Sequence, residues 1–240
     1  MDAVVRRPSA RKPAAERPDR KDAILLAAER LFAQRGYHAV SIRQIADEAS
    51  VPLALVGYYF GQKHELFAAI FAHWNPTIEE RLAGLKAAVD AGGRELLRHI
   101  VEAFVDPVLR LRASPEGECY ALLVARELAY ASPEADEVLR RWFDPLAHAF
   151  IDALHGALPH GTRADAAWAY QFALGALLHH LSDHRIERLS HGAARPNDPA
   201  ARERLVRFIE GGIRAALPPP ARRPTRPAPR SANPTPRRPR

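Results

Sequence analysis

Residues 41–60, SIRQIADEASVPLALVGYYF, decide how this chain is read. Ser41 followed three residues later by Gln44 is a capping-box pattern: the hydroxyl accepts a backbone N–H while the amide reaches back to the cap residue, so a helix starts here. Ile42, Ile45, Ala46 and Ala49 recur at helical spacing as one apolar stripe, and Arg43, Gln44, Asp47 and Glu48 are left on the wet side. The stripe stops at Ala49. Ser50 and Val51 are poor interior helix formers, and Pro52 suits the first position of a second helix, where its missing N–H costs nothing. Val56 and Phe60, four apart, anchor that second helix. Two short helices around a tight turn fit a helix-turn-helix whose second helix enters a DNA major groove; they also fit any helical hairpin of an all-α bundle.

Working outward, Ile24, Leu25, Ala28, Leu31 and Phe32 form a helical stripe upstream, with Gly36 as its stop and Tyr37 packing under the turn. Downstream, Leu66, Phe67, Ile70 and Phe71 give a further apolar face. Lys63 starts that helix, where it opposes the helix dipole and would be explained by an external anion such as a DNA phosphate; the alternative is an exposed lysine with no role.

The whole chain has 240 residues, is 47% hydrophobic and carries a net charge of +7. That charge is unevenly placed: residues 1–21 carry +4, residues 218–240 carry +7, and the body between them carries −4. Residues 1–17 are expected to be a disordered basic arm, and 218–240, with nine prolines and seven arginines, a Pro/Arg-rich tail that cannot fold alone. Such an arm can add phosphate contacts or enter a minor groove. A single cysteine, Cys119, excludes a disulfide framework or a cysteine metal cluster. With neither an apolar leader nor a run long enough to span a bilayer, a cytoplasmic protein without a membrane partner is expected.

Three stretches in fixed order, AAERLFAQRGY, SIRQIADEA and VGYYFGQKHEL, resemble the N-terminal domain of the TetR family of transcriptional regulators over roughly Pro18–Thr77. The resemblance implies an all-α homodimer: a three-helix DNA-binding head at about residues 18–78, then a larger helical domain at 79–217 that binds a small effector and dimerises. Carried over by position, Ser41 and Arg43 meet the DNA backbone or a base edge. Pro52, Leu53, Ala54, Leu55 and Gly57 line the exposed start of the recognition helix, and Tyr58, Tyr59 and Lys63 hold phosphates. The chain departs from the commoner family pattern at three positions: 52 usually offers a small hydroxyl, 55 a threonine and 57 a tyrosine. Direct base reading therefore rests mainly on Arg43, with Gln44 as a second reader, and more of the specificity is expected from DNA shape and register-fixing phosphate contacts. The partner is double-stranded DNA, a near-palindromic operator with recognition helices about 34 Å apart or somewhat more.

The remainder reads as helices at about 75–90, 94–112, 116–131, 133–158, 163–190 and 198–217, with Asn75-Pro76 as a cap, Gly92-Gly93 as a stop, and Pro107 and Pro145 inside apolar helices. Proline kinks open space between packed helices. Around that space are expected Phe104, Val108, Tyr120, Leu123, Trp142, Phe143, Leu146, Phe150, Trp168 and Phe172, as ordinary core or as the wall of a largely apolar effector pocket. Ala169, Ala173, Gly175 and Ala176 offer a small-residue face, and Leu205, Phe208, Ile209 and Ile213 stripe the last helix. In the family such terminal helices pair with their twins in a four-helix bundle. VAREL near residue 126 and FALGA near residue 174 resemble regulators of fatty-acid and acyl-compound metabolism, which implies an acyl or other apolar effector.

His180 and His184 share one helix face, and His148, Asp152 and His155 another, but no further ligand is in evidence beside either set and polar surface or pocket-lining histidines account for them, so no metal and no cofactor is expected. HExxH, P-loop, GxSxG and dinucleotide motifs are all missing, and no enzyme is expected. The fold class is all-α. The expected function is a ligand-responsive, dimeric repressor; the alternative is a helical ligand-binding or scaffold protein whose basic tails bind nucleic acid without sequence preference.

Overall fold

The computed structural model describes residues 19–130, 132–196 and 198–216; the basic arm and the Pro/Arg-rich tail lie outside them. The described residues fold into helices joined by turns and loops, with no strand among them. The head comprises α1 (Arg20–Arg35), α2 (Ile42–Glu48), α3 (Leu53–Phe60) and α4 (Lys63–His73). The expected stripe of α1 is buried, and Phe32, Val40, Ile45, Val56, Leu66, Phe67, Ile70 and Phe71 close one core. Gly36 ends α1 with φ 82, a conformation that favours glycine.

The turn between α2 and α3 explains why the sequence bends here. The Ser50 N–H bonds the Asp47 carbonyl at 3.1 Å and the Val51 N–H bonds the Ala46 carbonyl at 3.0 Å, which is a Schellman closure. Ser50 takes φ 54 to make it, in the left-handed region that glycine usually occupies.

The body comprises α5 (Asn75–Ala91), α6 (Leu96–Leu111), α7 (Pro115–Ala129), α8 (Pro133–Val138), a π-helical turn (Leu139–Phe143), α9 (Asp144–Ala157), α10 (Arg163–Ser182), α11 (Ile186–Leu189) and α12 (Ala201–Ala216). Its core gathers Leu97, Ile100, Phe104, Leu146, Phe150, Ala169, Ala173, Leu177 and Ile209. Arg202 of α12 forks onto Asp106 of α6 through Nε at 2.8 Å and Nη2 at 2.6 Å, tying the last helix to the body.

Three expectations about this half change. Trp74, not Asn75-Pro76, is the cap at which α4 passes into α5; Asn75 and Pro76 already belong to the first turn. The helix expected at 133–158 runs unbroken to Ala157 with Pro145 inside it, but not as one α-helix: the π-helical turn Leu139–Phe143 precedes Pro145 and absorbs the change of register. The helix expected to run to 190 stops at Ser182, because the Asp183 carboxylate captures the Arg185 backbone N–H at 2.9 Å and its guanidinium at 2.6–3.0 Å, a local turn that competes with the helix.

Ser50→Gly removes the left-handed Cβ penalty, while the unfolded chain gains entropy. The expected net effect is stabilisation by about 0.5 kcal/mol. Ser50→Val is expected to destabilise by about 1–2 kcal/mol. Urea unfolding of both variants beside the parent measures the two signs.

Candidate nucleic-acid interface and effector cavity

At the start of α2 both halves of the capping box form. The Ser41 hydroxyl accepts the Gln44 N–H at 3.3 Å, and Gln44 Oε1 accepts the Ser41 N–H at 2.8 Å and its O–H at 3.0 Å. Gln44 has therefore committed its acceptor, and a bidentate contact to adenine, which needs acceptor and donor together, is closed to it in this rotamer. Arg43 is exposed, with no ion pair or hydrogen bond among the described residues.

On α3, Pro52, Leu53, Ala54, Gly57 and Tyr58 share the exposed face, Tyr58 at 79% exposure. A Cβ placed on Gly57 meets nothing within 4 Å, so this face is open. Leu55 and Tyr59 are half-buried against the head core, and Tyr59 holds Tyr58 edge-on at 5.2 Å. Lys63 does not stand free at the start of α4. Its Nζ lies 4.2 Å from the centre of the Tyr37 ring, and burial lowers its pKa. The dipole at this helix start is met by Glu65, whose carboxylate accepts the Gln62 N–H at 2.6 Å. An external anion is therefore not needed to account for Lys63.

A cavity of about 320 Å³ opens in the body between α5, α6, α7, α9 and α10. Of the ten residues expected around it, Val108, Tyr120 and Phe143 line it. Phe104, Leu146 and Phe150 lie in the body core behind the wall, and Leu123 is fully buried on the head side of α7. Trp142 packs, half-buried, against both cores. Trp168 and Phe172 face solvent at 61% and 62% exposure, stacked at 5.7 Å, because α10 turns Ala166, Ala169, Tyr170, Ala173 and Leu177 inward instead.

The sequence reading passed over Arg81. It lies inside the stripe Ile78, Arg81, Leu85 and Ala88 of α5, and a charge at an inward position of an apolar stripe was the available signal. It lines the cavity, with Phe104 at 4.8 Å and Phe150 at 5.6 Å against its guanidinium, and its Nε and Nη2 have no hydrogen-bond partner. Burial lowers its pKa to about 10, so it stays charged at neutral pH. The Tyr120 hydroxyl is likewise buried and unpartnered.

Cavity and head meet at Tyr120. Its ring stacks on Trp74 at 5.3 Å, and the Trp74 indole donates to Glu29 Oε2 of α1 at 2.7 Å. Leu123 and Val124 of α7 complete the head core, so α7 serves the cavity and the head together.

Of the histidines, His184 faces the Arg112 guanidinium at 3.3 Å, Asp152 pairs with Arg163 at 2.9 Å, and no group of three metal-ligating residues converges among the described residues. The Cys119 thiol is pushed up to about 11 by burial.

Two family models match this arrangement: "Bacterial regulatory proteins, tetR family" over residues 24–70 and "Tetracyclin repressor-like, C-terminal domain" over residues 102–212. The chain belongs to the TetR family of transcriptional regulators. The HTH-type transcriptional activator FasR of Mycolicibacterium smegmatis is 34% identical over 92 residues, covering 38% of this chain and 41% of that protein. The HTH-type transcriptional regulator HbdR of an Aromatoleum species is 31% identical over 126 residues, covering 51% of this chain and 48% of that protein. The chain thus spans less than half the length of either relative. Among solved structures, the fatty acid degradation regulator FadR of Bacillus halodurans shares the fold with TM-score 0.52 and 17% identity, over 83% of this chain and 98% of that one. TetR membership sets the chain in a family of DNA-binding regulators rather than enzymes.

Glu29 gives this junction a pH dependence. Burial raises its carboxyl from 4.5 to about 7, above its unfolded value. Between these values the folded state holds the proton more tightly, so the junction is most stable below pH 4.5 and loses that contribution as pH rises through 7. Glu29→Gln keeps the acceptor for Trp74. It is expected to match the parent near pH 5 and exceed it at pH 8 by on the order of 2 kcal/mol, read from chemical unfolding at both pH values.

Proposed function

We propose that this protein is a homodimeric, ligand-responsive repressor that binds a near-palindromic operator in double-stranded DNA through residues 41–60 and is released by a small, largely apolar effector held in the body cavity. The observation that carries the DNA half is the open face of α3, Pro52, Leu53, Ala54, Gly57 and Tyr58, held by a capped α2 and a hydrogen-bonded turn within a TetR head. Its apolar start suits thymine methyls, Arg43 reads a base edge or a phosphate, and Tyr58 and the Ser41 turn fix register on the backbone. Lys63 acts through Tyr37 at the head–body seam more than as a phosphate clamp.

The dimer half rests on the outer faces of α10 and α12. Trp168, Phe172, Gly175 and His179 recur at helical spacing on one, and Phe208, 72% exposed, stands on the other. Large aromatics in the open beside a glycine are the surface of a close helix–helix contact. The effector half rests on the cavity and on Tyr120: an effector against its ring pushes on Trp74 and α1, and its grip is limited by the affinity difference between DNA-bound and released states.

DNA from around the gene, against scrambled DNA at two salt concentrations, is the direct test: a preference that survives higher salt with two chains per site is expected, and equal binding that collapses with salt would favour tail-driven, non-specific binding. Arg43→Ala is expected to cost about 1–3 kcal/mol in operator affinity and relax preference at one position per half-site, measured by fluorescence anisotropy. Phe208→Glu is expected to yield a folded monomer in sedimentation, with operator binding falling in parallel.

A further inference from the structure

The cavity wall is apolar at Ile78, Val108, Phe143, Ala147, Ile151 and Leu174 and polar at Thr77, Asp144 and Gln171, and α5 delivers a guanidinium into it. Arg81 is only 6% exposed and has no ion pair and no hydrogen bond among the described residues. Phe104 and Phe150, whose ring centres lie 5.3 Å apart, pack on one side of the guanidinium, and its Nε and Nη2 still lack a partner. The unpartnered atoms, Nε and Nη2, are the pair that Arg202 presents to the Asp106 carboxylate elsewhere in the same protein. Tyr120 adds a second donor to the same cavity, its hydroxyl buried without an acceptor. A buried cation and a buried O–H in apolar surroundings are both costly until an acceptor arrives, and a single carboxylate answers both.

Resting on the reading of this cavity as the effector site, we infer that the effector is an amphiphile with one carboxylate head, paired with Arg81 and accepting from Tyr120, and an apolar chain along the wall. A phosphate dianion fits less well, since one guanidinium would leave a negative charge uncompensated in apolar surroundings. A primary ammonium is repelled by Arg81, and Asp144, the carboxylate among the lining residues, is solvent-exposed. A cavity of about 320 Å³ stands at the small end of ligand pockets, which suits a medium-chain acid such as octanoate. The carboxylate would then sit beside the Tyr120 ring, the one wall residue stacked on Trp74, so its arrival is felt where head and body join.

The test is binding of octanoate, octanol, octylamine and octanoyl-coenzyme A to the full chain by calorimetry and melting temperature, with the parent and the variants Arg81→Gln, Arg81→Met and Tyr120→Phe. Octanoate is expected to bind at least tenfold more tightly than octanol, and octylamine not at all. Arg81→Gln should weaken octanoate about 10- to 100-fold and leave octanol unchanged, and Tyr120→Phe should weaken octanoate several-fold. Without ligand, Arg81→Met should melt no lower than the parent, because it replaces an unpaired buried charge by an apolar chain of similar length. That keeps loss of binding separate from loss of fold. Equal affinity for octanoate and octanol, octanoate binding unchanged in both Arg81 variants, or binding of octanoyl-coenzyme A without octanoate would overturn the inference. Operator release, followed in the same samples, separates it from the regulatory reading: octanol releasing DNA as well as octanoate sinks the carboxylate and leaves the effector cavity standing. Octanoate bound through Arg81 with the operator complex intact upholds the carboxylate site and sinks the regulatory reading.

Discussion

The contact of Glu29, Trp74 and Tyr120 is the constraint on which the rest of this structure depends. A carboxylate from α1, an indole from the cap between α4 and α5, and a phenol ring from α7 meet in one buried place, joined by a 2.7 Å hydrogen bond and a stacked pair at 5.3 Å. Nothing covalent forces the head to hold its angle to the body apart from the single passage at Trp74. The orientation of α3, the surface offered to DNA, is set by how α1 packs on α7. Because Leu123 and Val124 of α7 lie in the head core while Tyr120 and Val124 also face the cavity, no boundary of packing separates the head core from the cavity. A rigid helix shared by two sites is a physical means of coupling them, since close-packed contacts change by discrete steps and not by continuous yielding.

This junction and the cavity are also where the protein tolerates unfavourable electrostatics. Glu29, Arg81 and Tyr120 are each nearly excluded from water, and each lacks at least one hydrogen-bond partner. Tyr120 lies between the other two, and its pKa is raised by burial and by Glu29 and lowered by Arg81. Apolar residues at these positions would cost less, so the polar groups are understood by what they meet: the indole for Glu29 and, on the proposal of a carboxylate effector, a ligand head for Arg81 and Tyr120.

Much of the head was legible because its signals are local. Ser41 and Gln44 form a capping box within four residues, Gly36 and the Gly92-Gly93 pair stop helices by their own backbone freedom, and the stripes of α1, α2 and α4 have one apolar side each. The body was less legible for a definite reason. Helix α10 carries apolar residues nearly all round, so periodicity does not say whether Trp168 or Tyr170 turns inward; the small residues Ala166, Ala169 and Ala173, which let α10 approach its neighbours closely, decide it. Asp183 ends that helix by a contact with Arg185 that propensity does not reveal. Lys63 was read from its place at a helix start, and the ring of Tyr37 that covers it comes from an earlier turn of chain.

By itself the sequence determined the all-α class, the starts and stops of the head helices, the two-helix motif at 41–60 and the family that motif resembles. These follow from hydrogen bonds and backbone freedoms spanning three to five residues, which neighbours in space do not overrule. Only the tertiary structure decided which faces of the body helices point inward, that Arg81 of α5 enters the cavity, and that Tyr120 joins that cavity to Trp74 and Glu29. Those facts depend on which helices pack against which, and a buried charge is recognised as unpaired only when every side chain around it is in place.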